Sequence, residues 1–269
     1  MTRHVALVTG GGRGIGRAIA LRLARSGAAV FVAARSQEAC IDVALEITRT
    51  GGTAWPLYLD VADFDMFAEA LAEARELAAG IGPIDWLVNN AGIAESAPFL
   101  KHGRESGQDL YAKHLDVNFH GPRRLVEALV PGMIERGYGR VVHVASSAGL
   151  VGYAYVAAYC ASKHALVGWA TSAAKELAKT GVTMNLVCPH YVDSPMTDAS
   201  VERIVAKTKR SADDTRAFLA AQNPGGALVT TDEVAETVLT LLESEKNGAI
   251  AELVGARSGA PQGEGVRWR

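Results

Sequence analysis

Short runs of consecutive apolar residues alternate along this chain with longer stretches whose apolar positions recur every three or four residues. The first run, residues 5–8, ends at Thr9-Gly10 and reads as a parallel strand buried on both faces. Residues 14–26 carry Ile15, Ala18, Ile19 and Leu23 at helical spacing and stop at Gly27. The alternation continues with a strand at 30–33, a helix at 37–50 closed by Gly51-Gly52, a strand at 55–59, and a helix capped by Asp63 that runs to about residue 79. A fourth strand at 84–88 leads into Asn89-Asn90-Ala91-Gly92. A long helical region at 107–136 follows, with interruptions expected at Pro122 and Pro131. Then come a strand at 140–145, a helix at 159–180, a strand at 182–188, a partly helical insertion at 194–225, a helix capped by Thr231 or Asp232 to about 242, and a seventh strand at 249–254. The tail from Ser258 is Gly-rich and reads as loose. This order predicts an α/β fold: a doubly wound parallel sheet of about seven strands, helices on both faces, right-handed crossovers.

The chain has 269 residues, 49% of them hydrophobic, so a large core forms and disorder is excluded. No linker or charge run divides it, which predicts one domain over 1–269 with 194–225 as a substrate lid. The net charge of −2 offers no basic excess for a nucleic acid. The cluster Lys207, Lys209, Arg210 is followed by Asp213 and Asp214 and reads as a solvated helix face. Cys40, Cys160 and Cys188 have no metal-site or disulfide spacing, as expected of reduced thiols in a cytoplasmic protein. The run at 5–8 is too short for a signal segment or a membrane span.

The chemistry begins at the first strand end. Gly10, Gly14 and Gly16 are spaced Gly-x-x-x-Gly-x-Gly, with Ile15 between the last two, directly before a helix. Such a turn lets backbone approach a pyrophosphate seated on the free N–H groups and positive end of that helix. The second strand ends in Ala34-Arg35-Ser36. It lacks the carboxylate that would bind the ribose 2′-hydroxyl of NAD, and Arg13 and Arg35 together suit a 2′-phosphate. NADP(H) is therefore expected in preference to NAD(H).

Tyr159 and Lys163 lie four apart on a predicted helix, on one face. A neighbouring ammonium is expected to lower the tyrosine pKa. Ser146, with Ser147 as its rival, follows the fifth strand, and Asn118 sits inside the long helix. Carboxyl ends of strands are where open α/β sheets bind ligands.

Taken together, these residues resemble the short-chain dehydrogenase/reductase family over about residues 4–255. The motifs Thr9-Gly10-x-x-x-Gly14-Ile15-Gly16, Asn89-Asn90-Ala91-Gly92, Asn118, Ser146 and Tyr159-x-x-x-Lys163 stand in family order and spacing. The resemblance implies a Rossmann-type fold and a nicotinamide-dependent oxidoreductase acting on ketones or secondary alcohols. It selects Ser146 over Ser147. It implies Tyr159 as general acid or base, Ser146 as the donor to the substrate oxygen, Lys163 on the ribose hydroxyls, and Asn118 as the holder of a relay water. Asp60 and Val61 take the family's adenine contacts. Asn90, Ala91, Gly92, Pro189, Val192 (through its N–H) and Ser194 complete the cofactor set. Pairing of the helices near 107–136 and 158–180 between subunits implies a homotetramer. No metal is implied.

Two features depart from the family pattern. His190 stands where a glycine is usual, and the segment 247–254 with the tail is atypical. Had that glycine's positive φ been needed, a histidine would be strained there. Tyr153, Tyr155, His190 and Tyr191 are expected to line the substrate, suiting a cyclic or aromatic carbonyl compound. A 3-oxoacyl or 3-hydroxyacyl thioester is the alternative. A silent cofactor-sensing protein on the same fold would be expected to lack tetrad residues, and all four are present.

Overall fold

The computed structural model describes residues 3–101, 109–256 and 265–269. One eight-stranded sheet has the order β3-β2-β1-β4-β5-β6-β7-β8. Its strands are β1 Val5–Thr9, β2 Ala29–Ala34, β3 Thr53–Tyr58, β4 Trp86–Asn89, β5 Gly139–Val144, β6 Val182–Pro189, β7 Ile250–Leu253 and β8 Val266–Trp268. The first seven run parallel and β8 pairs antiparallel with β7. This is the doubly wound Rossmann-type architecture the alternation predicts, with one strand more than expected. The added strand comes from the tail read as loose. Residues 257–264 lie outside the described part, but Val266–Trp268 closes the edge of β7.

Helices cover both faces. α1 (Gly14–Arg25), α2 (Gln37–Arg49) and α9 (Thr231–Glu243) lie on one side, burying Ile19, Leu23, Val43 and Val238 against Val30 and Val32. α3 (Phe67–Leu77), α5 (Gly121–Glu135) and α6 (Ala157–Leu177) lie on the other, burying Leu71, Leu125, Met133 and Leu166 against Leu7 and Phe31. The central strands are buried along their whole length, so their sequences are apolar runs rather than alternations. Pro56 is tolerated in β3 because β3 is an edge strand.

Several helix starts move. Asp63 does not cap α3, which begins three residues later behind Met66, because Asp60 turns the chain first by accepting from the Ala62 N–H at 3.0 Å. Thr230, rather than Thr231 or Asp232, caps α9 through a reciprocal capping box with Glu233. α6 begins at Ala157 and ends at Leu177, short of Thr180.

The expected start of the long helix at Gly107 lies outside the described residues. What is described is α4 (Leu110–Leu115), capped by Asp109, then a π turn at Asp116–His120, then α5. The break falls just before Pro122, while Pro131 is carried inside α5. The insertion at 194–225 forms α7 (Pro195–Lys207) and α8 (Ala212–Gln222). Among the described residues, no helix is long and apolar enough to cross a membrane.

Chain order reverses at β1. From β1 the chain runs outward to β2 and β3, then returns to β4 on the other side. Ligands of such sheets bind beyond the strand carboxyl ends at this switch point.

Candidate active site

A cleft of about 1400 Å³ opens at that switch point, and all residues named from the sequence as catalytic or binding residues, Asn118 excepted, line it. Its floor is the glycine turn. Gly10 and Gly14 have φ of +64° and +53°, the left-handed region that side chains avoid. A Cβ on Gly16 would stand 2.1 Å from the Gly10 carbonyl oxygen, so only glycine lets α1 start this close to β1. The turn is locked to β4: Thr9 Oγ1 accepts from the Asn90 and Ala91 N–H groups at 3.0 Å each, and Asn90 Nδ2 donates to the Thr9 carbonyl at 2.9 Å. A helix N-terminus with no side chain capping it and a glycine cradle in front fits a pyrophosphate.

Arg13 and Arg35 are both exposed at the same end of the cleft. Neither has an ion-pair partner among the described residues. Asp60 and Val61 lie beside them, with the Asp60 carboxylate engaged in its own turn.

Ser146 follows β5 by two residues, and its Oγ accepts from the Ala148 N–H at 3.1 Å. The Ser146 hydroxyl is near enough to the Tyr159 phenol to favour its ionised form. Ser147, the rival, is buried and accepts from the Tyr153 hydroxyl at 2.9 Å. The two serines thus have different neighbours, Ser146 beside Tyr159 and Ser147 beside Tyr153. Lys163 is buried one turn beyond Tyr159, with Nζ donating to the Val144 carbonyl at 3.0 Å and lying 5.9 Å from the Tyr159 ring centre.

Burial pushes the Tyr159 phenol up to about 12, against the opposing pull of the Ser146 hydroxyl. Burial lowers Lys163 to about 8. The expected lowering of Tyr159 by Lys163 is thus not a property of the chain alone: desolvation dominates, and the counteracting group is Ser146.

Asn118 is not the solvent-facing polar residue usual in mid-helix. The π turn rotates it inward and buries it completely, a known use of such turns. Its Oδ1 accepts from the Ile93 N–H at 2.9 Å while Nδ2 donates to the Ile93 carbonyl and to Ser162 Oγ, both at 3.0 Å. It lies behind the cleft wall, and a Cβ on Gly92 would come within 3.2 Å of Asn118 Oδ1 and 3.6 Å of Lys163 Nζ. Gly92 is the spacer between these two groups.

On the opposite wall, Val192 bridges Val229 in parallel. The neighbours Tyr191 and Asp193 make the bonds to Val229, so the Val192 N–H points away from it. Ser194 is buried at the start of α7, and Pro189 ends β6. His190 is unstrained: Tyr155, at +67°, is the non-glycine positive φ among the described residues. The His190 N–H donates to the Leu253 carbonyl at 3.0 Å. Tyr153 and Tyr191 meet edge to face at 6.5 Å, and Tyr155 is exposed at the cleft mouth.

A model of the short chain dehydrogenase family matches residues 4–204. The chain belongs to the short chain dehydrogenase family. The 3-oxoacyl-(acyl-carrier-protein) reductase of Escherichia coli strain K12 is 34% identical over 241 residues, covering 90% of each chain. The protein of the same name from Staphylococcus aureus strain Mu50 is 37% identical over 195 residues, 72% of this chain and 76% of its own. A crystal structure of a variant actinorhodin polyketide ketoreductase with NADPH superposes with a TM-score of 0.87 at 34% identity, covering 94% of this chain and 96% of that one.

This short chain dehydrogenase also holds site residues that the sequence did not mark. His114 is fully buried, its Nδ1 at 2.7 Å from the Leu110 carbonyl and its Nε2 accepting from the Glu95 N–H at 3.1 Å, with its edge toward the Tyr159 ring. Asn223, read only as a turn former, holds the Tyr191 backbone at both N–H and carbonyl, at 2.9 Å each. Ser162 ties Asn118 to the Tyr159 carbonyl. Nothing in local spacing signals the contacts of His114 with Glu95, Asn223 with Tyr191 and Ser162 with Asn118, which cross 19 to 44 residues of chain.

Proposed function

We propose that this enzyme is an NADP(H)-dependent ketoreductase acting on a cyclic or aromatic ketone or its secondary alcohol. The observation that carries the reading is that Ser146, Tyr159 and buried Lys163, whose Nζ is 5.9 Å from the Tyr159 ring centre, line the same cleft as the Gly10–Gly16 cradle.

The glycine cradle and the unpaired Arg13 and Arg35 fit NADP(H), with Asn90, Ala91, Gly92, Pro189, Val192 and Ser194 along its length. When bound, the dinucleotide supplies or accepts the hydride at the carbonyl carbon. The chain supplies position and protons. Tyr159, kept protonated at neutrality by burial, holds a proton at its phenol oxygen and delivers it to the substrate oxygen. Ser146, its rotamer fixed by the Ala148 N–H, donates to the same oxygen as negative charge develops. Lys163, anchored on the Val144 carbonyl, would hold the ribose hydroxyls. Asn118 holds the Ile93 backbone, and with it the Gly92 spacer, in place.

NADP preference is supported by the two arginines, by Ala34 where a carboxylate would repel a phosphate, and by neighbours. Besides the ketoreductase solved with NADPH, a structure from Beutenbergia cavernae, given as an NAD(P)-dependent gluconate 5-dehydrogenase with NADP at low occupancy, is 34% identical with a TM-score of 0.78 over 93% of this chain and 94% of that one. The aromatic wall of Tyr153 and Tyr191 supports a ring-bearing substrate. The second reading, reduction of 3-oxoacyl thioesters, is favoured by the names of the E. coli and S. aureus relatives. Helices α7 and α8 act as the lid of one catalytic domain. The enzyme works as a cytoplasmic homotetramer, with no metal, nucleic acid or membrane partner.

The test is steady-state NADPH oxidation with a cyclic ketone such as tetralone and with the N-acetylcysteamine thioester of acetoacetate. A higher kcat/KM for the ring supports the first reading. A higher value for the thioester replaces it with the second, and no turnover of either rejects both.

A further inference from the structure

His190 is the one departure that stands in the substrate wall, and it is the middle of a chain of contacts. Its imidazole is 8% exposed, and its Nε2 lies 3.0 Å from Oε1 of Glu252, itself 7% exposed. The other carboxylate oxygen of Glu252 accepts from Arg269, the residue after β8, at 2.7 Å. The other ring nitrogen, Nδ1, faces the Tyr153 hydroxyl at 3.3 Å, and that hydroxyl meets Ser147 Oγ at 2.9 Å. The chain of groups thus runs from the end of the outermost strand to the residue beside Ser146.

Proton accounting fixes most of it. Burial raises the Glu252 carboxyl, but hydrogen bonds from His190 and Arg269 outweigh that and hold it low. The carboxylate is an acceptor only, so His190 Nε2 carries a hydrogen. In the neutral ring Nδ1 is then a bare lone pair aimed at Tyr153. The Tyr153 hydroxyl has one hydrogen, which it gives to Ser147 Oγ at 2.9 Å, and this lone pair at 3.3 Å is a second acceptor competing for it. The other titratable groups around the ring are Tyr191, next in the chain, and Cys188 of β6, which senses both Glu252 and Arg269 and is held as a thiol by burial.

We propose that Glu252, backed by Arg269, holds His190 in the Nε2–H tautomer as a positioning residue that aims the Tyr153 hydroxyl in the substrate wall. The proposal rests on the reading of this cleft as a ketoreductase site. It gives the residue after β8 a role in the cleft: the segment that seals the sheet edge also orients the wall. It also accounts for His190 and the atypical β7 together, since Glu252 of β7 supplies the acceptor for His190 Nε2.

The test combines spectroscopy with a mutant cycle on the whole chain. In protein labelled with 15N-histidine, the His190 ring shifts report the Nε2–H tautomer, and Glu252→Gln moves them. Glu252→Gln and Tyr153→Phe each raise KM for the ketone about ten-fold with kcat within two-fold and NADPH affinity unchanged. The double variant is no worse than Tyr153→Phe alone, because both act through one hydroxyl. Arg269→Gln, exposed and remote from the fold's centre, gives a smaller change in the same direction. An Nδ1–H tautomer, additive effects, or equal losses of kcat and NADPH binding overturn the proposal. A parent chain that reduces no ketone overturns the ketoreductase reading and the role in the substrate wall with it. The nitrogen shifts then still decide whether Glu252 sets the His190 tautomer.

Discussion

Asn118 and Ile93 exchange two hydrogen bonds, Oδ1 accepting from the Ile93 N–H at 2.9 Å and Nδ2 donating back to its carbonyl at 3.0 Å. A side chain from the π turn thereby completes the backbone pairing of the segment after β4, the wall between Gly92 and the substrate side of the cleft. Replacing Asn118 by Leu leaves two backbone groups unsatisfied. The expected cost is about 1–3 kcal/mol for such a loss, read as a lower urea midpoint, with a raised KM for the ketone. An unchanged midpoint would show that this clamp is dispensable.

The two cofactor-end arginines give a second prediction. Arg13→Ala and Arg35→Ala each weaken NADPH binding about ten-fold or more, the worth of a charged hydrogen bond, and leave NADH within about two-fold. Fluorescence titration of the nicotinamide with both dinucleotides measures this. Equal losses for both would make the arginines general phosphate contacts.

Lys163 makes stability depend on pH. Its folded value is depressed to about 8 from 10.5, so between those values the unfolded chain binds more protons than the native one. Stability then rises with pH across that window. Lys163→Met removes the buried charge. The variant should gain up to about 3 kcal/mol relative to the parent below pH 8, and lose that advantage as pH approaches 10.5. Urea melts at several pH values check the sign. A difference independent of pH contradicts the depressed value.

Gly16→Ala places a methyl 2.1 Å from the Gly10 carbonyl, far inside any tolerated contact. The turn has to shift, so NADPH binding is lost while the sheet still folds, because α1 is held by Ile19 and Leu23 in the core. Far-ultraviolet circular dichroism with a dinucleotide titration separates the two. Retained NADPH affinity would show that the turn is more pliable than the geometry allows.

The parts legible in the sequence were those whose signal is local. Gly10, Gly14 and Gly16 announce a turn by their own backbone needs. Tyr159 and Lys163 announce a shared face by a spacing of four. Strands such as Val5–Thr9 announce burial by unbroken apolarity. What was not legible depended on distant partners. Asn118 points inward only because a π turn shifts the helix register at Asp116–His120. Glu252 reads as an ordinary polar residue in a weak strand until His190, 62 residues away, meets it. β8 has three residues, too few to carry a periodicity, and forms because β7 offers an unpaired edge. The pKa of Tyr159 in the chain alone was not legible for a related reason: spacing shows a nearby lysine but not the burial that outweighs it.

The central claim is that Tyr159 delivers the proton in an NADPH-dependent ketone reduction. The most direct measurement is single-turnover NADPH oxidation with a cyclic ketone for the parent and for Tyr159→Phe. The account predicts that the phenylalanine variant binds NADPH within two-fold of the parent and reacts about 10²–10⁴-fold more slowly, the usual worth of a general acid. A variant that reacts at the parental rate would contradict it.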